Sequence, residues 1–425
     1  MGRIIGAIVA VILVVILAAS GWYYRPWSPY SPARITALDD PADYPVTFQR
    51  MDEILPSRPI EAINPQPLPE AIEPLDVTYQ WNGATRTLSD FMADANATGL
   101  VVLSDGVIVA ERYAHGADAA TRFTSWSVAK SFVATLIAMA LHEGLIDSLD
   151  DPAGKYAPAY AGSAYGDTTL RQLLMMSAGV DFNEDYADSP QSDIRPFFFN
   201  AFIMGRDVDE MAAEIRRNRP PGQDLHYVSP NTHVLSAVVR SVYGDTLADI
   251  VEDKIWGPLG MTSDASWLVN VDADRAIEIG YCCLQATTRD YARFGQFYLQ
   301  DGVWAGERML PEGWVETASR PQAPFGEPGP GARYAPRGYG LHFWLPPNPQ
   351  GEFFMAGVYG QYVWMDTERN VVVAMNAGDP EWGAREQEAW TLFRAIADAV
   401  AAPETAETAE TAGPEPAAQP EEPSR

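Results

Sequence analysis

Thr124-Ser-Trp-Ser-Val-Ala-Lys-Ser-Phe-Val-Ala-Thr-Leu-Ile-Ala-Met-Ala-Leu-His-Glu-Gly144 is the stretch from which the rest of the chain can be read. Thr124 or Ser125 is suited to cap a helix, and Gly144 to end it in the left-handed conformation that glycine adopts freely. Between them Phe132, Val133, Leu136, Ile137, Met139 and Leu141 leave almost no polar face, which predicts a buried helix. Its first turn nevertheless carries Ser127 and Lys130, three residues apart and so on one face. Burying an ammonium is costly unless it is paired or gives up its proton.

The chain holds 29 lysines and arginines, of which only Lys130, Lys155 and Lys254 are lysines. Arginine is effectively always protonated, whereas a desolvated lysine at a helix N-terminus is pushed towards its neutral form. Such an amine can take the proton of Ser127 and make it a nucleophile. Ser-x-x-Lys is a short pattern, and the bland alternative is a lysine reaching out to solvent. Scarce lysines and apolar surroundings favour catalysis.

A length of 425 residues allows one large domain or a few ordinary ones, and 47% hydrophobic with 20% charged residues describes a globular chain. A net charge of −28 argues against nucleic acid as a partner. The two cysteines are adjacent, Cys282-Cys283. Neighbouring Cα atoms lie about 3.8 Å apart, while disulfides usually need about 4.4–6.8 Å. The pair is therefore expected to be two buried small hydrophobes, a vicinal disulfide being the disfavoured alternative. The five histidines form no metal-ligand spacing, so neither metal nor cofactor is expected.

Residues 1–24 read as a transmembrane signal anchor. At about 1.5 Å per residue, Ile4 to Tyr24 just spans a bilayer core of about 30 Å. Trp22, Tyr23 and Tyr24 suit the interface, and Arg3 suits the inner side. The remainder then lies outside the cytoplasm, on the periplasmic side. A signal peptide cut near Ala18-Ala-Ser20, giving a secreted protein, competes with this reading. The proline-rich residues 25–75 are expected to form a stalk or to drape over the domain. Residues 403–425, with six Glu and one Arg, are expected to be a disordered tail.

Residues 76–402 remain as the domain. Gly99–Leu103 and Val107–Tyr113 flank a Ser-Asp-Gly turn and predict a β-hairpin. Asn231–Tyr243 and a stretch opened by Thr288 predict helices. Gln361–Asp366 and Val371–Asn376 predict strands, and a last helix runs from about Arg385 to Ala401. Strands at both ends and helices between them predict an α/β (α+β) domain: one antiparallel sheet built from both ends of the chain, flanked by helices, with a helical insert.

A third participant must move protons between nucleophile and leaving group. Tyr227, in Pro221-Gly-Gln-Asp-Leu-His-Tyr-Val-Ser-Pro-Asn231, sits in a loop just before a helix. A tyrosinate beside a lysine ammonium is plausible there, because opposite charge lowers a tyrosine's pKa. With Ser127-Val-Ala-Lys130 and Tyr227-Val-Ser229 stand three further stretches: Leu170-Arg-Gln-Leu-Leu-Met-Met-Ser-Ala-Gly179, Arg289-Asp-Tyr-Ala-Arg-Phe-Gly295 and Ala356-Gly-Val-Tyr-Gly-Gln361. Through these the chain resembles, over roughly residues 80–400, the serine β-lactamase and penicillin-recognising superfamily. Within it the resemblance is to the class C-like esterase branch and the 6-aminohexanoate-dimer hydrolase group.

The resemblance implies roles. Ser127 would be the acyl-accepting nucleophile, Lys130 its proton acceptor or electrostatic partner, and Tyr227 the shuttle to the leaving group. The N–H groups of Ser127 and Val358 would form the oxyanion hole, with Gly357 letting the strand approach the substrate. Two departures matter. Class C enzymes carry Tyr-x-Asn, whereas here Ser229 takes the third place and Asn231 follows two later. The family's Lys-Thr-Gly or His-x-Gly element reads Met355-Ala-Gly357, so the cation that meets a substrate carboxylate is missing. In the related amide hydrolases a tyrosine from the insert contacts the substrate, and Tyr186 is the matching candidate.

The expected function is a serine hydrolase of esters or small linear amides. The alternatives are a D-Ala-D-Ala peptidase or β-lactamase, and a non-catalytic membrane-tethered binding module.

Overall fold

Alternating apolar side chains build a sheet that is buried on both faces. In Val371–Ala377, Val372 and Ala374 join one core while Val371, Val373 and Met375 join the other. The computed structural model describes residues 2–186 and 189–401, and the acidic tail expected over 403–425 lies outside them. The strands Ala97–Ser104 (β1) and Val107–Tyr113 (β2) form the expected hairpin. They turn at Asp105 and Gly106, whose φ angles of 49° and 78° suit a tight hairpin. Then follow Gly338–Tyr339 (β3), Trp344–Leu345 (β4), Glu352–Gly357 (β5), Gln361–Asp366 (β6) and Val371–Ala377 (β7). The sheet order among the described residues is β3-β4-β5-β6-β7-β1-β2, antiparallel throughout. Because β7 pairs with β1, the two ends of the chain close one sheet, as expected.

The principal helices are Gly2–Tyr24 (α1), Ala129–His142 (α2), Ser229–Tyr243 (α3), Thr288–Leu299 (α4) and Trp382–Val400 (α5). α4 lies against the sheet at Gly295, where a Cβ would come within 2.7 Å of Val372 Cγ1. α5 covers the opposite face, with Trp390 against Phe354 and Phe393 against Trp364 at ring separations of 5.6 and 5.8 Å. α2 is buried from Ala129 to Ala140, and Phe132 stacks on Phe294 of α4 with centroids 3.7 Å apart. Gly144 ends this stretch at φ 75°. Neither Thr124 nor Ser125 caps it, since α2 is entered through a 3₁₀ turn, Trp126–Val128, without a side-chain cap. Ser125 Oγ instead donates to the Trp126 carbonyl and accepts from the Leu284 N–H. At α4 the cap is Thr287, while Thr288 donates to Asn376 in the sheet.

A second sheet runs in the order Ser57–Ile60, Ala265–Leu268, Leu284–Thr287, Arg122–Thr124. Its first strand belongs to the segment expected to form a stalk or to drape over the domain, and the second of these holds over residues 31–60. Residues 31–60 are in fact packed into the domain: Ile35, Tyr44, Phe48, Met51, Leu55 and Ile60 are all buried. The prolines there restrict the backbone to turns and extended stretches, and the apolar side chains between them still reach the core. Only the later part, 61–76, lies mostly exposed.

A second correction concerns Cys282 and Cys283, which are joined by a disulfide with Cα atoms 3.7 Å apart. Both are buried, as expected, but Cys283 adopts φ 79°, which brings the adjacent side chains together without lengthening the Cα separation. α1 is long and apolar enough to cross a membrane and buries none of its residues, which suits an anchor or a signal sequence equally.

Removing residues 2–24 is expected to leave the thermal unfolding midpoint of the domain unchanged. Removing the chain to residue 60 strips an edge strand and several large buried side chains, each worth about 2–5 kcal/mol, and should abolish the cooperative transition in calorimetry.

Candidate active site

The second sheet positions the turn that carries Ser127. Arg122–Thr124 ends beside Leu284, whose carbonyl accepts the Ser125 N–H at 2.7 Å. Trp126 then takes φ 41°, a left-handed conformation that a bulky residue holds only when its surroundings enforce it. The enforcing contacts are aromatic. Phe48 packs edge-on against Trp126 at 5.4 Å, and Tyr359 lies 5.5 Å from Trp126 and 4.7 Å from Tyr44. Ser127 follows on the 3₁₀ turn and Lys130 one turn further on.

Lys130 is 2% exposed, and its Nζ donates to Ser127 Oγ at 2.8 Å and to the Tyr281 carbonyl at 2.9 Å. Burial lowers its pKa to about 8, with the charge of Glu184 opposing the shift. The amine therefore gives up its proton far more readily than an exposed lysine.

Tyr227 enters from the loop before α3. Its ring stacks on Trp344 of β4 at 5.3 Å and meets Tyr339 edge-on, while its N–H donates to Tyr334 Oη at 3.0 Å. Lys130 Nζ lies 5.1 Å from the ring centroid, and the Ser127 side chain is close enough to act on the phenol. Burial pushes the phenol well above its ordinary range and Glu184 adds to this, outweighing the Ser127 hydrogen bond and Arg337. Burial and Glu184 thus work against the tyrosinate considered from sequence.

β5 closes the site from the other side. A Cβ on Gly357 would fall 2.6 Å from the Ser125 carbonyl and 3.0 Å from Ser127 N, so only glycine lets the strand end press against the nucleophile turn. Val358 follows directly. Ser127 N–H stands at a helix start, where intrahelical acceptors are lacking. Met355, in the place of the family cation, is 1% exposed and buried with the core.

Tyr186 and Ser229 are drawn together by a residue that the sequence reading missed. The Ser229 hydroxyl donates to Glu184 Oε1 at 2.8 Å, its N–H donates to Oε2, and the Tyr186 hydroxyl donates to Oε1. Tyr186 is 36% exposed overall, yet burial of its hydroxyl end and the charge of Glu184 hold the phenol well above its ordinary range. Asn231 is not part of this group. Its side-chain oxygen accepts from Tyr165 Oη at 3.0 Å and its amide nitrogen faces Met176 Sδ. Two residues beyond Ser229 on a helix means a rotation of about 200°, which turns Asn231 inward. Glu184 belongs to no motif; its one signal is a carboxylate two places before a candidate tyrosine. Tyr281, Tyr44 and Phe48 carry no signal at all, because only folding brings them here, whereas Tyr359 stands within the Ala356–Gln361 stretch.

The Beta-lactamase family profile matches residues 84–398, and the chain belongs to that family. It is an enzyme of the serine hydrolase type. The chain is 28% identical over 344 residues to the 6-aminohexanoate-dimer hydrolase of Paenarthrobacter ureafaciens, covering 79% of this chain and 85% of that protein. It is 25% identical to a D-aminopeptidase of Cereibacter sphaeroides over 51% of this chain and 42% of that one. A Bacillus anthracis structure provisionally named a 6-aminohexanoate-dimer hydrolase superposes with a TM-score of 0.74 at 26% identity, over 84% of this chain and 94% of that one.

Gly357→Ala should displace β5 from the Ser127 turn. Loss of one oxyanion donor costs about 10²–10³ in kcat, so a fall of that size is expected on a p-nitrophenyl ester, with the unfolding midpoint recorded alongside.

Proposed function

We propose that the protein hydrolyses esters or small linear amides through an acyl-enzyme on Ser127. The observation that carries this reading is the buried Lys130 amine, lowered to about 8 and 2.8 Å from Ser127 Oγ. In its free form the amine accepts the Ser127 proton as Oγ bonds to the substrate carbonyl carbon. The oxyanion that forms is held by the N–H groups of Ser127 and Val358. As the carbon–nitrogen or carbon–oxygen bond breaks, the leaving atom takes the Tyr227 phenol proton, and the Lys130 ammonium reprotonates the phenol. Water then attacks the ester of Ser127, giving one proton to Lys130 and through it restoring the serine hydroxyl. Tyr186, Ser229 and Gly357 line the substrate.

The buried Met355 bears on substrate choice. A β-lactam or a D-alanyl terminus brings a carboxylate to this position, and methionine offers it no cation. Neutral esters and linear amides, the class named by the 6-aminohexanoate-dimer hydrolase relative, are favoured over β-lactams. Detectable hydrolysis of nitrocefin would reverse this preference. With α1 as anchor, the domain would work at the outer face of the membrane.

Ser127→Ala should abolish turnover and labelling by an active-site fluorophosphonate; labelling that survives removes Ser127 from the mechanism. Tyr227→Phe should lower kcat by about 10²–10⁴, the usual weight of acid–base catalysis. For pH, the lowered Lys130 pKa means the active free amine accumulates as pH rises. kcat/KM should therefore climb through about pH 8 and be small well below it. Lys130→Arg, always protonated, should show no such rise and negligible activity.

A further inference from the structure

Glu184 has no role in the reaction just described, yet its oxygens gather more of the site than any other carboxylate described. It accepts from the Ser229 N–H, the Ser229 hydroxyl and the Tyr186 hydroxyl. Ser229 is the first residue of α3 and lies two residues after Tyr227, so whatever holds the Ser229 backbone also sets where the Tyr227 loop joins its helix. Glu184 itself is half-buried, on the stretch that follows the buried Phe182. Asn183 beside it is fastened in turn, its N–H donating to Asp193 and its amide to the Gln191 carbonyl.

We propose that Glu184 is a positioning residue of this active site: its carboxylate ties the strip that carries Tyr186 to the first turn of α3, and so holds Tyr186 and Tyr227 together over Ser127. The inference rests on the serine hydrolase reading. Neutral side chains would serve poorly here. A carboxylate presents acceptors only, and the three groups that converge on it are all donors; a glutamine would turn its own N–H₂ towards one of them. Bonds from donors to an ionised carboxylate are also roughly twice as strong as neutral ones.

The same charge reaches the proton-transfer groups. Around Lys130 stand Ser127, Tyr227, Tyr281 and His342, and Tyr186 is joined to Glu184. Burial raises the three phenols and lowers His342 to about 3, so each of these titratable groups is neutral near pH 8. Glu184 is the group whose charge favours the Lys130 ammonium. It thus opposes the burial that frees the amine, and it also raises the Tyr227 phenol.

The deciding experiment uses the full chain in detergent and measures the fluorophosphonate labelling rate and p-nitrophenyl ester turnover across pH. Glu184→Gln keeps shape and removes charge. Its kcat should fall by about 10-fold or more, since small misplacements of reacting groups cost up to about 10²-fold. Its acid limb should also move to lower pH by about one unit, the usual effect of losing an opposite charge. Glu184→Asp keeps the charge and shortens the reach, so kcat should fall while the acid limb stays. Ser229→Ala removes one of the three bonds and should fall less than Glu184→Gln, again with the limb unmoved. A Glu184→Gln enzyme with wild-type kcat, or one whose acid limb does not move, overturns the inference even if its unfolding midpoint drops. A wild-type chain that is never labelled overturns the hydrolase reading and this inference with it. A labelled wild type with an unchanged Glu184→Gln overturns this inference alone.

Discussion

A single amine withheld from water organises the molecule. Lys130 is enclosed by α2, the Tyr281 carbonyl and the Tyr227 ring, and its Nζ has Ser127 Oγ as its side-chain partner. A charged ammonium in such a place carries a desolvation penalty, and lowering its pKa towards about 8 relieves it. That same relief makes the group a base near neutral pH. The packing that buries Lys130 therefore bears on stability and on protonation together.

The reacting groups come from three distant parts of the chain, and the sheet topology is what joins them. β5 brings Gly357 against the Ser127 turn, the small sheet sets the entry to α2, and the loop before α3 brings Tyr227 over both. The aromatic residues Tyr44 and Phe48 brace Trp126 and Tyr359, the neighbours of Ser127 and Val358. The N-terminal segment that follows α1 is thus mechanically continuous with the site. A chain tethered through that segment holds its nucleophile turn with it.

Charge completes the picture. Apart from Lys130, the titratable groups nearest the nucleophile are tyrosines held neutral by burial, with one carboxylate, Glu184, among them. Methionine stands where relatives of the penicillin-recognising type carry a cation.

Much of this was legible before folding. An apolar helix with Ser127 and Lys130 on one face has few physical explanations, and apolar strands near both ends of the domain pointed to one antiparallel sheet built from both. Tyr227 and Gly357 were legible because they stand in local patterns. The environment of Tyr227 was not, because the burial and the Glu184 charge that raise its phenol come from segments brought together only by folding. Asn231 was misplaced for a related reason: proximity in sequence says nothing about which way a helix turns a side chain. Prolines in residues 25–75 left a stalk and a segment draped over the domain both open, and burial of Met51 and Leu55 against distant partners decides for the second. The sequence by itself determined the pairing of Ser127 with Lys130 and the sheet that frames them, since each is a matter of local spacing and hydrophobic period. Only the tertiary structure decided that Glu184 joins Tyr186 to α3 and that Phe48 braces Trp126, since those contacts exist solely where distant segments are brought together.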